Sequence, residues 1–261
     1  PSCGHGRKRN SHCFPKEPIA EDFGSGSQIT IPIRQTSDSG TDIGYRISKI
    51  TMQLTPSELE KNGFIVADKM DHNELVPFIS QYLKAKNLFS QSYSGFNLFF
   101  LVVFATKLVL LFTDPGVPKS EIVLKACLGI TYTFVLLPIH ELIHAAAYKW
   151  VGAPKTSFDS NWKKFYFMAI ADKFVANRRE FFFVALAPFT VISLGLTVGM
   201  ILASPLTSLT FASVLLFHTA CCSGDFGLLS YFEHHKAKEV VTYDDAEKKE
   251  TWFLFRDRKP T

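Results

Sequence analysis

Two histidines four residues apart bracket a carboxylate in the run His140-Glu141-Leu142-Ile143-His144. On a helix that spacing brings both imidazoles to one face, where they can grip a single zinc ion, and sets Glu141 beside them as a general base. Zinc held there lowers the pKa of water to about 7 and polarises a carbonyl, the chemistry of metal-assisted hydrolysis. With 8 histidines and 12 glutamates in 261 residues, the pattern arises by chance in roughly one shuffled chain in a hundred. The plainer alternative is a pair of histidines satisfied by polar neighbours in a helix bundle. Context weighs against it, because three ionisable groups within five residues of an apolar helix are costly unless they serve something.

A catalytic zinc needs a third protein ligand. An extension along the same helix is excluded, since Ala147 and Trp150 stand where a glycine and a histidine would be required. Asp225, in Ser223-Gly224-Asp225-Phe226-Gly227, is the first choice: an acid inside an apolar segment, flanked by glycines that permit close helix approach. Depth supports it. His140 lies 18 residues after Ile122 and Asp225 lies 19 after Leu206, so on helices running the same way the two meet at one level. Glu180 and Glu233 are weaker candidates. His218, seven residues before Asp225, falls about 10 Å deeper at 1.5 Å per residue and suits a polar contact better than a ligand role. His234 and His235 read as interfacial residues, and Pro138 as a helix-shaping residue that also frees a carbonyl near the motif.

These side chains must be held by the apolar part of the chain. Residues 1–94 are polar, whereas 96–232 contain four long apolar runs, at 96–112, 122–150, 181–203 and 206–232. Each is to be judged against the roughly 20 residues that cross a bilayer. The connector 152–180 carries Lys155, Lys163, Lys164, Lys173, Arg178 and Arg179, and the tail from Glu233 is also basic, while the other two connectors are short and nearly uncharged. The positive-inside rule then places both termini and the 152–180 loop in the cytoplasm, in keeping with the lack of a signal peptide.

Before the first span, residues 1–45 read as an irregular arm, with short strands at 29–31 and 43–47. Thr55-Pro56-Ser57-Glu58 is a helix start, and a second helix is expected over 71–92. After the last span, 240–243 and 251–255 read as a hairpin. Five cysteines without a CxxC pair give no disulfide framework: Cys127, Cys221 and Cys222 read as packing residues, and Cys3, His5, His12 and Cys13 form a possible second metal cluster. A net charge of +4 gives no case for nucleic acid, and the clusters Arg7-Lys8-Arg9 and Lys163-Lys164 report membrane orientation instead.

The His140–His144 helix, the aromatic loop leading to Arg178-Arg179-Glu180, the Ala187-Pro188 span, Ser223-Gly224-Asp225, and a tail of Val240-Val241-Thr242-Tyr243-Asp244 followed by Trp252-Phe253 together resemble the DUF3267 family of zincin peptidases. That family is similar in turn to site-2-type membrane zinc metalloproteases. The resemblance covers about 95–258. It implies His140, His144 and Asp225 as zinc ligands and Glu141 as base. It departs from the site-2 pattern where Asn-Pro-Asp-Gly is replaced by Ser-Gly-Asp-Phe, a change that touches substrate handling more than metal binding.

The expectation is an all-α membrane protein of a bacterial inner (plasma) membrane. It divides into a cytoplasmic arm with helices at 1–94, four transmembrane helices at 95–232 and a cytoplasmic hairpin tail at 233–261. Its cofactor is Zn2+, and its partners are the lipid bilayer and a membrane-associated protein substrate, or proteins held by the N-terminal arm. The leading activity is peptide-bond hydrolysis by zinc-activated water. Two other classes stay open: a non-catalytic subunit of a larger complex that keeps a structural or relic metal site, and a transporter using His140, Glu141 and Asp225 as an ion path.

Overall fold

The structure, a computed structural model, describes residues 54–161, 163 and 166–257. The Cys3/His5/His12/Cys13 cluster, the Arg7-Lys8-Arg9 cluster, Lys164, the arm at 1–45 and the strands expected at 29–31 and 43–47 lie outside the described residues.

The helix start at Thr55 is formed as the sequence suggests. Helix α1 (Pro56–Leu59) has proline at its first position, and the Glu58 carboxylate reaches back to the Thr55 backbone at 2.8 Å. Strand β1 (Ile65–Asp71) follows, then α2 (Leu75–Leu83) and α3 (Leu88–Thr113). The helix expected over 71–92 is thus two helices. Asn87 causes the break: its side-chain oxygen accepts from the Phe89 and Ser90 N–H groups, both at 3.1 Å, and so caps a new helix. Its amide nitrogen donates to the Ser230 hydroxyl at 2.7 Å, which fixes the restart against a later element.

Helix α4 (Lys119–Trp150) carries the histidine motif and runs through Pro138. Strands β2 (Ser157–Asn161), β3 (Tyr166–Ile170) and β4 (Ala176–Asn177) fill the basic connector. Helix α5 (Arg178–Leu202) starts on a capping box between Asn177 and Glu180. The last apolar run forms α6 (Pro205–Cys221) and α7 (Ser223–His234), which meet at 45°. Strands β5 (Lys238–Asp245) and β6 (Glu250–Asp257) complete the chain.

Among the described residues α3, α4 and α5 are each long and apolar enough to cross a membrane, and the bent pair α6–α7 makes a fourth if it counts as one span. Their outward faces fit such a setting, with Leu98, Phe99, Phe134, Val135, Leu194 and Leu202 all exposed. Inside, α4 and α6 approach closely because Gly129 leaves room: a Cβ there would lie 2.2 Å from that of Ser213. Across the same seam the Ser213 hydroxyl donates to the Ala126 carbonyl at 2.9 Å and the Thr210 hydroxyl to the Lys125 carbonyl at 3.0 Å. Small residues and hydroxyls of this kind bring apolar helices together where hydrophobicity cannot.

The all-α expectation is incomplete. The tail hairpin of β5 and β6 is present, but it forms the middle of a four-stranded antiparallel sheet ordered β1-β6-β5-β4, and β2 and β3 form a second pair. The sheet packs through aromatic side chains: Tyr231 lies 4.4 Å from Phe253 between ring centroids, Phe78 stacks on Phe253 at 5.5 Å, and Phe181 stacks on Phe232 at 4.6 Å. That aromatic core couples the sheet to α2, α5 and α7, the elements surrounding the candidate site.

Candidate metal centre

The break between α6 and α7 determines where the acid sits. It puts Asp225 in the first turn of a new helix, whose free N–H groups favour a negative charge. The carboxylate meets the motif directly: Oδ2 is 3.2 Å from His140 Nε2 and Oδ1 is 3.1 Å from His144 Nε2. The two Nε2 atoms are themselves 3.1 Å apart. The structure therefore brings together His140, His144 and Asp225, the three residues singled out from the sequence, and buries both histidines.

The donor set can be tested against zinc. Nitrogen and oxygen ligands about 2.0–2.2 Å from a tetrahedral ion stand about 3.4 Å from one another, and the three separations here fall only slightly inside that. The far sides of the rings matter equally. His144 Nδ1 faces the Val184 carbonyl at 3.0 Å, so it carries the proton and leaves Nε2 with a free lone pair. His140 Nδ1 faces His218 Nε2 at 3.1 Å. His218 is fully buried, and its other nitrogen has no partner among the described residues. His218 thus makes a polar contact with His140, and together with His140 and Cys222 it also forms a group whose ligand atoms could hold a metal. Cys222, read from the sequence as packing, lies beside it, with Sγ 3.8 Å from His218 Nε2 while the thiol donates to the His218 carbonyl at 3.2 Å.

Glu141 sits half-buried next to the histidines, and its Oε2 accepts the Ala169 N–H of β3 at 2.8 Å. Glu141, His144 and Asp225 share one cavity with Gly224. Its apolar walls come from α2, α4 and α5, and its far end is formed by the sheet, with Thr242 and Asp244 of β5 and Thr251 of β6. Asp244 is buried, and burial pushes its carboxyl above the ordinary range, opposed by a 2.7 Å hydrogen bond from the Thr251 hydroxyl. Ala169, Asp244 and Thr251 have no place at the site as read from sequence, because each reaches the cavity through strand pairing.

The weaker candidates are occupied elsewhere. Glu180 caps α5 through the Asn177 backbone, and Glu233 pairs with Arg178 and, at 3.0 Å, with Lys236. His234 and His235 lie against Tyr82, and His235 also against Tyr231 and Phe255.

Comparison with curated proteins and with solved structures finds no match. Comparison with protein families finds one, and it spans the motif helix, the basic connector and the bent pair that delivers Asp225. Residues 133–239 match the family DUF3267, described as "Putative zincin peptidase".

Proposed function

We propose that the protein is a membrane-embedded zinc metalloprotease that hydrolyses peptide bonds of membrane-associated substrates. One observation carries the reading: two imidazole nitrogens and a carboxylate converge within 3.1–3.2 Å of one another in a buried site. A proton on one ring can serve one of those contacts, whereas a divalent cation satisfies all three. The family description and the membrane-length helices agree with this at a coarser level.

Under this reading His140, His144 and Asp225 hold zinc. Bound there, zinc would supply Lewis acidity to a scissile carbonyl and to water. Glu141 takes the proton from the attacking water and returns it to the amide nitrogen as the C–N bond breaks. The Ala169 N–H holds one oxygen of Glu141 and leaves the other to carry that proton. The Val184 carbonyl and His218 orient the two histidines from behind. We place the site near the cytoplasmic leaflet of an inner membrane, as the basic 152–180 connector implies. The ligand plan is that of site-2-type enzymes.

The test uses the full chain purified into lipid nanodiscs, with zinc measured by mass spectrometry for wild type, Glu141→Gln and Asp225→Asn. New protein termini are mapped in membranes carrying wild type or Glu141→Gln. Zinc kept by Glu141→Gln with its termini lost supports the enzyme. A wild type free of zinc refutes the metal reading, and zinc without any Glu141-dependent termini marks a non-catalytic subunit.

A further inference from the structure

The cavity beside Glu141 has a polar end that the hydrolytic reading leaves unused. On the helix-facing side of the sheet, β5 presents Val240, Thr242 and Asp244, and β6 presents Thr251, Phe253 and Phe255. In register, Val240 pairs with Phe255, Thr242 with Phe253 and Asp244 with Thr251. One face therefore grades from wholly apolar to acidic over three cross-strand pairs. A face whose sole task was to pack on helices would keep apolar residues throughout. The polar end is also where the cavity lies, while Val240 and Phe255 belong to the packed core.

Asp244 is an unusual group to leave there. Its carboxylate takes the Thr251 hydroxyl at 2.7 Å and the Ala171 backbone N–H, yet no lysine or arginine pairs with it among the described residues. His72 acts on the Asp244 carboxyl through its charge and lies 3.3 Å from the Thr251 hydroxyl oxygen, but its other nitrogen faces Asp159. Buried carboxylates without a cationic partner are expensive. Glu141 and Asp225 line the same cavity, so three carboxylates face one space. A divalent ion bound by the histidines and Asp225 leaves that space with one negative charge in excess.

Much of the remaining lining is apolar, with Leu75, Phe174, Phe181, Val184 and Leu228, beside the buried Tyr148. The cavity of about 90 Å³ holds roughly three waters at about 30 Å³ each, close to the bulk of one lysine side chain. An apolar stem with a cationic tip matches such a space along its whole length.

Resting on the protease reading, we propose that this cavity is a specificity subsite for a lysine or arginine side chain flanking the scissile bond, with Asp244 and Thr251 receiving the cationic tip. The substrates so selected are membrane-associated proteins with a basic residue at the cleavage site.

The probes are amino-acid hydroxamates, which chelate zinc and carry a single side chain: lysine, arginine, norleucine and glutamate. Binding to the zinc-loaded full chain in nanodiscs is measured by calorimetry. Lysine or arginine hydroxamate should bind about tenfold more tightly than norleucine hydroxamate, the effect of one hydrogen bond to a charged group. The glutamate compound should be the weakest. Asp244→Asn should erase the basic preference while norleucine hydroxamate binds as before. If Asp244→Asn fails to fold, Thr251→Val is substituted and should lower the preference. Equal or tighter binding of norleucine hydroxamate by zinc-loaded wild type overturns the subsite and leaves the metal reading intact. A wild type that takes up no zinc overturns both.

Discussion

His218 offers the sharpest test of the site because it touches a candidate ligand from behind. If His140 is to offer Nε2 to a metal, its proton must sit on Nδ1, which then donates to His218 Nε2 across 3.1 Å. His218→Leu removes that acceptor and leaves a buried N–H unpaired, at a cost of about 1–3 kcal/mol. Referred to the metal-bound state, that is about 5- to 150-fold in zinc affinity, bracketing the 10- to 100-fold typical of lost outer-shell partners. His218→Gln places an amide oxygen near the lost nitrogen and should recover most of the affinity. The assay is zinc competition with a chelator of known affinity, on protein in nanodiscs. The thermal midpoint of the metal-free protein is the control, and it should not fall for His218→Leu, since leucine also removes a buried nitrogen that has no partner among the described residues. Zinc affinity in His218→Leu within about twofold of wild type, well under the lower bound set by the lost acceptor, would refute the reasoning. So would a His218→Gln variant as weak as His218→Leu.

Other expectations concern the base, the helix seam, a surface tether and pH. Glu141→Gln should keep zinc and lose about 10²- to 10⁴-fold in turnover, read from the rate at which new termini accumulate. Gly129→Leu should force α4 and α6 apart, lowering stability by about 1–3 kcal/mol, seen as a lower thermal midpoint in detergent; an unchanged midpoint would contradict the close approach at Ser213. Arg178→Ala removes the pairing with Glu233, a 3.2 Å bond to the Phe232 carbonyl and a stack on Phe182. It should cost about 1–3 kcal/mol in the same measurement. Burial raises the Asp244 carboxyl above its ordinary value, so the folded chain binds that proton more tightly than the unfolded one. The stability this group adds is complete below the ordinary carboxylate range and is lost as pH rises through the raised value. Asp244→Asn should flatten that slope in a thermal scan against pH, and parallel profiles for the two proteins would exclude the effect.

What the sequence revealed, and what it hid, follows from how far apart the interacting residues lie. His140, Glu141 and His144 are legible because a helix converts their spacing directly into a shared face. Asp225 is legible because depth along an apolar helix can be counted, and the count survives even though that helix breaks. The break at Cys222 was hidden: the run from Pro205 to Phe232 holds no proline after its start, and Gly224 lies two residues beyond the bend. Strand β1 was hidden for a different reason. Asp68, Lys69 and Asp71 interrupt its apolar pattern, and its partner lies about 180 residues away, where local periodicity has no reach. The end of the cavity shared that fate, since Asp244 and Thr251 acquire meaning only when β5 and β6 pair beside α7.

The order of the sheet bears on how the protein comes into being. Strand β6 is the last described element to leave a ribosome, yet it lies between β1 and β5 and hydrogen-bonds to both. Each membrane-length helix among the described residues is therefore synthesised before β1 can find its partner. Until residues 250–257 arrive, β1 lacks the strand it pairs with among the described residues, and the hollow beside Glu141 lacks Thr251 and Phe253. Such late, long-range pairing is slow because loop closure precedes its reward. The helices that carry the histidines and Asp225 are thus complete before the strand that closes the cavity beside them has been made.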